Sequence, residues 1–167
     1  MSSFLIQLGS LAATRRLGSI IAGLLRPGDR LFLVGEIGSG KTTLARAVGD
    51  ALRAEPPLTS PTFILVSEHR GTLPIWHADA YRLPSGSDPF SNGLIDERHT
   101  AGVTIVEWPE QVEWPIRGGG EAHLEVSLVA GASDGARVAT VKAGDAERAR
   151  GLRATLISAG LEVGDVA

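Results

Sequence analysis

The chain has 167 residues, enough for one domain (1–167) with its own hydrophobic core. It holds no cysteine, which excludes disulfides, thiolate catalysis and cysteine-based zinc sites and fits an expected cytoplasmic location. A formal net charge of -3, with acids and bases interspersed, provides no basic stripe for gripping nucleic acid unaided, and no apolar run approaches the ~20 residues of a membrane span.

In chain order, Phe4, Leu5, Ile6 and Leu8 read as a strand over about 3–8; no positive charge precedes them and Gln7 and Ser10 interrupt the run, so they do not fit a signal peptide. Ser10 is placed to cap a helix carrying Leu17, Ile20, Ile21, Leu24 and Leu25 at helical spacing, stopped by Pro27-Gly28. The apolar run Leu31-Phe32-Leu33-Val34 predicts a buried strand. Directly after it, Gly35-Glu36-Ile37-Gly38-Ser39-Gly40-Lys41-Thr42 matches the GxxxxGK[ST] phosphate-binding loop and opens a helix over 42–52. In such a loop glycines let backbone N–H groups turn inward around a polyphosphate, a lysine reaches the β- and γ-phosphates, and the next hydroxyl faces magnesium. Lys41 is one of only two lysines in the chain, which makes its position informative. The residues expected to bind nucleotide are therefore Glu36, Ile37, Gly38, Ser39, Gly40, Lys41, Thr42 and Thr43.

Three prolines within 55–61 end the helix in a loop. Strands are predicted at about 62–68 and 73–79, a loop over 83–93, a short helix at 94–99, and at Val103-Thr104-Ile105-Val106 a β-branched run of the kind covered on both faces of a sheet. After Gly118-Gly119-Gly120 two alternating segments, 124–128 and 137–142, predict a hairpin around 131–135. Asp145 then begins a helix with Ala149, Leu152, Leu156 and Ile157 on one side, ending at Gly160. Together these elements predict an α/β, P-loop NTPase-like three-layer fold with a mostly parallel central sheet, followed by a C-terminal β-hairpin and helix.

A phosphate loop needs a carboxylate at the end of a neighbouring strand to hold magnesium or its waters. Val-Glu-Trp-Pro occurs twice, at 106–109 and 112–115, but only Glu107 follows an apolar strand; Glu113 reads as a surface acid. Asp79, in His77-Ala78-Asp79-Ala80-Tyr81-Arg82, faces the same side of its strand as His77. That pair suits a metal, a carboxylate orienting an attacking water, or a simple cap, and the water-orienting role fits a triphosphate best. Thr62, in Ser60-Pro61-Thr62, stands where triphosphate switches place a hydroxyl, with a plain Ser-Pro turn as the alternative. Trp108 reads as core filling in preference to a site contact, and His77 as a hydrogen-bonded structural histidine.

No NKxD-type guanine-reading segment occurs, which favours ATP, and no arginine cluster suggests the lid of a small-molecule kinase. A kinase and a non-catalytic nucleotide-dependent binding module are the competing readings.

Residues 35–43, Ser60-Pro61-Thr62-Phe63, His77 to Leu83 and Val106-Glu107-Trp108-Pro109-Glu110 resemble, in order and spacing, the TsaE (also YjeE) ATPase family. The resemblance implies an ATPase using ATP and Mg2+ and acting with TsaD and TsaB to make threonylcarbamoyladenosine in tRNAs that read codons beginning with A, with tRNA contacted through those partners. It also implies roles: Lys41 and the loop amides on phosphates, Thr42 and Glu107 on magnesium, Asp79 supporting hydrolysis, Thr62 as switch hydroxyl, and Thr14 and Arg137 near the adenosine end. Where the family usually has Gly-Asp-Leu-Gly, this chain has Gly35-Glu36-Ile37-Gly38, which keeps the polar chemistry.

Overall fold

A computed structural model describes residues 2–60, 64–114 and 123–166. Strand β1 (Ser2–Leu8) leads into helix α1 (Leu11–Ala22), whose first turn is capped as expected: the Ser10 hydroxyl oxygen accepts from the Ala13 N–H at 3.2 Å. The helix ends at Gly23, short of Pro27, leaving Leu24 and Leu25 in the turn that follows. Then come β2 (Arg30–Val34), α2 (Lys41–Ala51), β3 (Val66–His69), β4 (Ile75–Asp79), β5 (Val103–Glu107), β6 (His123–Ala130), β7 (Arg137–Ala143), α3 (Ala146–Ser158) and β8 (Glu162–Asp165). The predicted short helix at 94–99 is a 3-10 turn at Glu97–Ala101, begun by the Asp96 carboxylate accepting from the Arg98 N–H at 2.8 Å.

Among the described residues the strands form one eight-stranded sheet in the order β3-β4-β5-β2-β6-β7-β1-β8. The expectation of a mostly parallel sheet is corrected here: β4–β5, β5–β2 and β2–β6 are parallel, whereas β3–β4, β6–β7, β7–β1 and β1–β8 are antiparallel. Parallel neighbours need a long crossover, such as the segment 80–102 that joins β4 to β5, whereas the tight links β3–β4 and β6–β7 force antiparallel pairing.

The three-layer expectation also changes. Leu31 and Leu33 of β2, Ile105 of β5, and Phe4, Ile6 and Leu8 of β1 share one core with Leu17 and Ile21 of α1, Leu44 and Val48 of α2, and Leu152 and Leu156 of α3. All three helices thus lie on one face. On the other face Phe32, Ala78 and Val106 are covered by Leu94, Val112, Leu83 and Trp114, residues of the irregular segment 83–114. Alternation explains the division, since successive strand residues point to opposite sides. Strand β5 is buried throughout, as its β-branched run predicts. Ile157, expected on the packing side of α3, is 55% exposed because it sits one residue past Leu156 on the helix and so turns away from the sheet. No helix among the described residues is long and apolar enough to cross a membrane.

Candidate nucleotide site

The loop between β2 and α2 is shaped by its glycines. Gly35 (φ +148) lies so close to its neighbours that a Cβ would stand 2.5 Å from the Ser39 Oγ and 2.6 Å from the Leu128 carbonyl oxygen. Gly40 (φ +106) adopts a left-handed turn at the N-cap of α2 and offers no side chain to the first-turn N–H groups, which stay available to an anion. The Ser39 N–H closes the loop on the Glu36 carbonyl at 3.1 Å. Ser39 itself is buried, and among the described residues its Oγ has no hydrogen-bond partner.

Lys41 is 5% exposed, and its ammonium donates to the Gly35 and Glu36 carbonyl oxygens at 2.6 and 2.8 Å. The same nitrogen stands 4.2 Å from the Trp108 ring centroid, a cation–π contact. Burial pushes the Lys41 pKa below the usual lysine value, opposed by the nearby acids Glu107, Glu110 and Asp79.

Glu107 ends β5, 3% exposed, with both carboxylate oxygens in reach of the Thr42 hydroxyl at 3.1 and 3.0 Å. Its Oε1 also accepts from His77 Nε2 at 2.9 Å. Asp79 is the register neighbour of Glu107 at the ends of the parallel strands β4 and β5, and its carboxylate accepts from the Tyr81 N–H at 2.9 Å. Burial holds the Asp79 carboxyl above its ordinary value, the Tyr81 N–H pulls it back, and the Glu107 charge adds to the rise. The Tyr81 ring tilts against Trp108 with centroids 4.9 Å apart.

The structure thus brings Lys41, Thr42, Asp79, Glu107 and Trp108 together around the loop. Trp108 packs against the second core, as expected, and also meets the site: half-buried, in the left-handed region at φ 58, it caps the lysine. Arg137 joins them from β7, its Nε donating to the Ser39 carbonyl oxygen at 2.8 Å and its Nη2 to that of Gly38 at 3.2 Å. Glu36, Ile37 and Gly38 are exposed on the loop, and Thr43 is half-buried in the first turn of α2. Thr14 is buried on α1, its hydroxyl 3.5 Å from the Ser10 carbonyl oxygen within the same helix. Thr62 lies outside the described residues. Glu113 is exposed, as expected of the second copy of the repeated tetrapeptide.

Sequence reasoning missed two contacts, His77 on Glu107 and Arg137 on the loop carbonyls. Each joins residues far apart in the chain, and the one available signal was that His77 and Asp79 share a strand face.

The residues present fit ATP with magnesium. The loop has an unpartnered buried hydroxyl at Ser39, a lysine whose contacts are carbonyls a phosphate can replace, and a Gly35 position a side chain would fill. Thr42 and Glu107 supply hard oxygen donors. Among the described residues no group of three or more His, Cys, Asp or Glu is placed to hold a metal ion by itself.

The family described as "Threonylcarbamoyl adenosine biosynthesis protein TsaE" matches residues 8–138. A Streptomyces coelicolor protein named tRNA threonylcarbamoyladenosine biosynthesis protein TsaE is 42% identical over 99 residues, 58% of this chain and 67% of its own length. A Mycobacterium bovis protein of the same name is 35% identical over 139 residues, 76% of this chain and 79% of that one. A Bacillus subtilis relative, again of that name, is 36% identical over 101 residues, and the match spans 63% of its length. The crystal structure of Bacillus subtilis YdiB superposes with a TM-score of 0.67 at 26% identity, covering 96% of this chain and 98% of that one. The matched stretch begins in β1 and ends in β7, so it contains the glycine loop, both strand-end acids and Arg137, and on that basis the chain belongs to the TsaE family.

Proposed function

We propose that this protein binds ATP with magnesium in the loop 35–42 and hydrolyses it in support of threonylcarbamoyladenosine formation on tRNA, in the cytoplasm and together with TsaD and TsaB. The observation that carries the reading is the meeting of the Thr42 hydroxyl with the Glu107 carboxylate at 3.0–3.1 Å beside the buried Lys41. A fold has no need to gather a buried lysine, a hydroxyl and two acids, one of them buried, at the mouth of a glycine loop, whereas a triphosphate site uses all of them.

Each residue has a physical task. The loop N–H groups and the start of α2 receive phosphate oxygens, and Lys41 exchanges its two loop carbonyls for phosphate. Thr42 and Glu107 are the side chains that would hold magnesium, which would supply neutralisation of the phosphate charge. Asp79 orients the attacking water and takes its proton, a task suited to a carboxyl held above its ordinary value. Phosphoryl transfer depends chiefly on positioning and electrostatics, so a partner that completes the site raises the rate. The names of the relatives support the pathway assignment.

Magnesium-dependent ATP hydrolysis, measured alone and with purified TsaD and TsaB, tests this reading. Hydrolysis stimulated by the pair supports it. Hydrolysis indifferent to the pair removes the pathway assignment, and a phosphorylated small molecule in place of free phosphate makes the protein a kinase.

A further inference from the structure

Among the described residues, the histidine that stands at the site is His77, on the strand face it shares with Asp79. His77 is 0% exposed on β4 and spends its Nε2 on Glu107 Oε1 at 2.9 Å, while its Nδ1 has no hydrogen-bond partner among the described residues. His69, two β3–β4 register positions away, has the bonding pattern of a structural histidine: Nδ1 on the Pro56 carbonyl oxygen at 2.6 Å and Nε2 on the Ser67 hydroxyl at 2.9 Å. A buried ring nitrogen without a partner is unfavourable, and a ring serving packing alone would be better replaced by an apolar side chain.

We infer that His77 is a positioning residue: it fixes the Glu107 carboxylate in the orientation that faces Thr42, and so presets the pair that would hold magnesium. This rests on the nucleotide reading given above. Without His77, Glu107 is held among these contacts by the single hydroxyl hydrogen of Thr42, shared between two oxygens at 3.1 and 3.0 Å. One shared hydrogen leaves the carboxylate free to rotate. The imidazole adds a second anchor from the neighbouring strand, and because it contacts Oε1, Oε2 stays oriented toward the loop. A carboxylate oxygen accepts, so the Nε2 in contact with it carries a hydrogen. Groups that orient a metal-binding carboxylate typically change metal affinity 10–100-fold when removed.

The test compares wild type with His77→Leu and His77→Gln, whose amide nitrogen reaches the place of Nε2. Equilibrium binding of a fluorescent ATP analogue is measured with EDTA and across a magnesium titration, and Mn2+ binding is followed by EPR. Removal of the anchor is expected to raise the half-saturating magnesium and Mn2+ concentrations on the order of 10–100-fold in His77→Leu. Binding in EDTA should stay within about twofold, with His77→Gln recovering most of the loss. Equal weakening with and without magnesium, or no difference from wild type, overturns the inference. If the wild-type chain binds no ATP, the nucleotide reading fails by itself. Nitrogen-15 NMR of the ligand-free protein then still decides the contact: a hydrogen on Nε2, with its resonance shifted in Glu107→Gln, supports it, and an Nε2 without a hydrogen overturns it.

Discussion

Lys41 rests on two carbonyl oxygens of its own loop and under the Trp108 ring, so the residue that meets phosphate is already ordered before phosphate arrives. Lys41→Ala is expected to lower ATP affinity by at least about 100-fold, measured by fluorescence titration, because a buried charge-assisted contact is lost. Glu107→Ala should retain nucleotide binding in EDTA but lose magnesium-dependent hydrolysis, whereas Glu113→Ala, altering an exposed acid, should hydrolyse as wild type does. Asp79 permits a prediction of opposite sign for stability. Burial raises its carboxyl above the ordinary 3.8, so the native state binds that proton more tightly than the unfolded chain does. Its contribution is most favourable below pH 3.8 and is lost as pH rises through the raised native value. Asp79→Asn, still able to accept from the Tyr81 N–H, should therefore melt somewhat higher than wild type at neutral pH while losing hydrolysis. That difference should shrink to nothing as the pH falls toward 3.8, which a calorimetric series across pH would check.

Among the elements, α3 is tied to the rest of the molecule by more than its apolar stripe. Arg148 donates to both oxygens of Asp29, one of them at 2.9 Å, and to the Leu24 carbonyl oxygen at 2.6 Å, while Asp29 also accepts from the Arg26 N–H at 2.7 Å. This buried pair joins the last helix to the turn between α1 and β2. Removing one partner strands a charge, so Asp29→Ala is expected to cost about 3–5 kcal/mol by urea denaturation with little change in ATP affinity per folded molecule. Periodicity made α1, α2, β2 and β5 legible in the sequence, because burial on one or both faces sets the pattern and local caps such as Ser10 and Asp145 mark the ends. It failed where no periodic apolar pattern exists. Strand β8 reads Glu162-Val163-Gly164-Asp165, mostly exposed with a single apolar side chain, Val163, and is a strand because it pairs with the edge that β1 offers. The site showed the same division. Lys41, Thr42 and Glu107 were legible because a loop motif and a strand end locate them, whereas the contacts of His77, Trp108 and Arg137 depend on strand order, which residue pattern does not encode.

At the scale of the whole molecule, one sheet carries two kinds of pairing. Its parallel centre, β4-β5-β2-β6, presents strand ends to the glycine loop; the antiparallel strand β3 edges it on one side, and on the other the antiparallel strands β7-β1-β8 hold the hairpin arginine against that loop. The edge strand β8 covers the backbone of β1. Deleting residues 162–166 should bare that edge and produce concentration-dependent association in size-exclusion chromatography, and an unchanged monomer–oligomer distribution would show that β8 does not protect it.

The position of β1 has a further consequence. Its neighbours in the sheet are β7 and β8, so β1 has no partner until about 130 more residues have been synthesised. A nascent chain that has exposed only the glycine loop and the parallel strands lacks both the strand that supplies Arg137 and the far half of the core. During translation, therefore, the nucleotide site matures late, and a ribosome stalled before β7 would display apolar β1 residues, Phe4, Ile6 and Leu8, to chaperones.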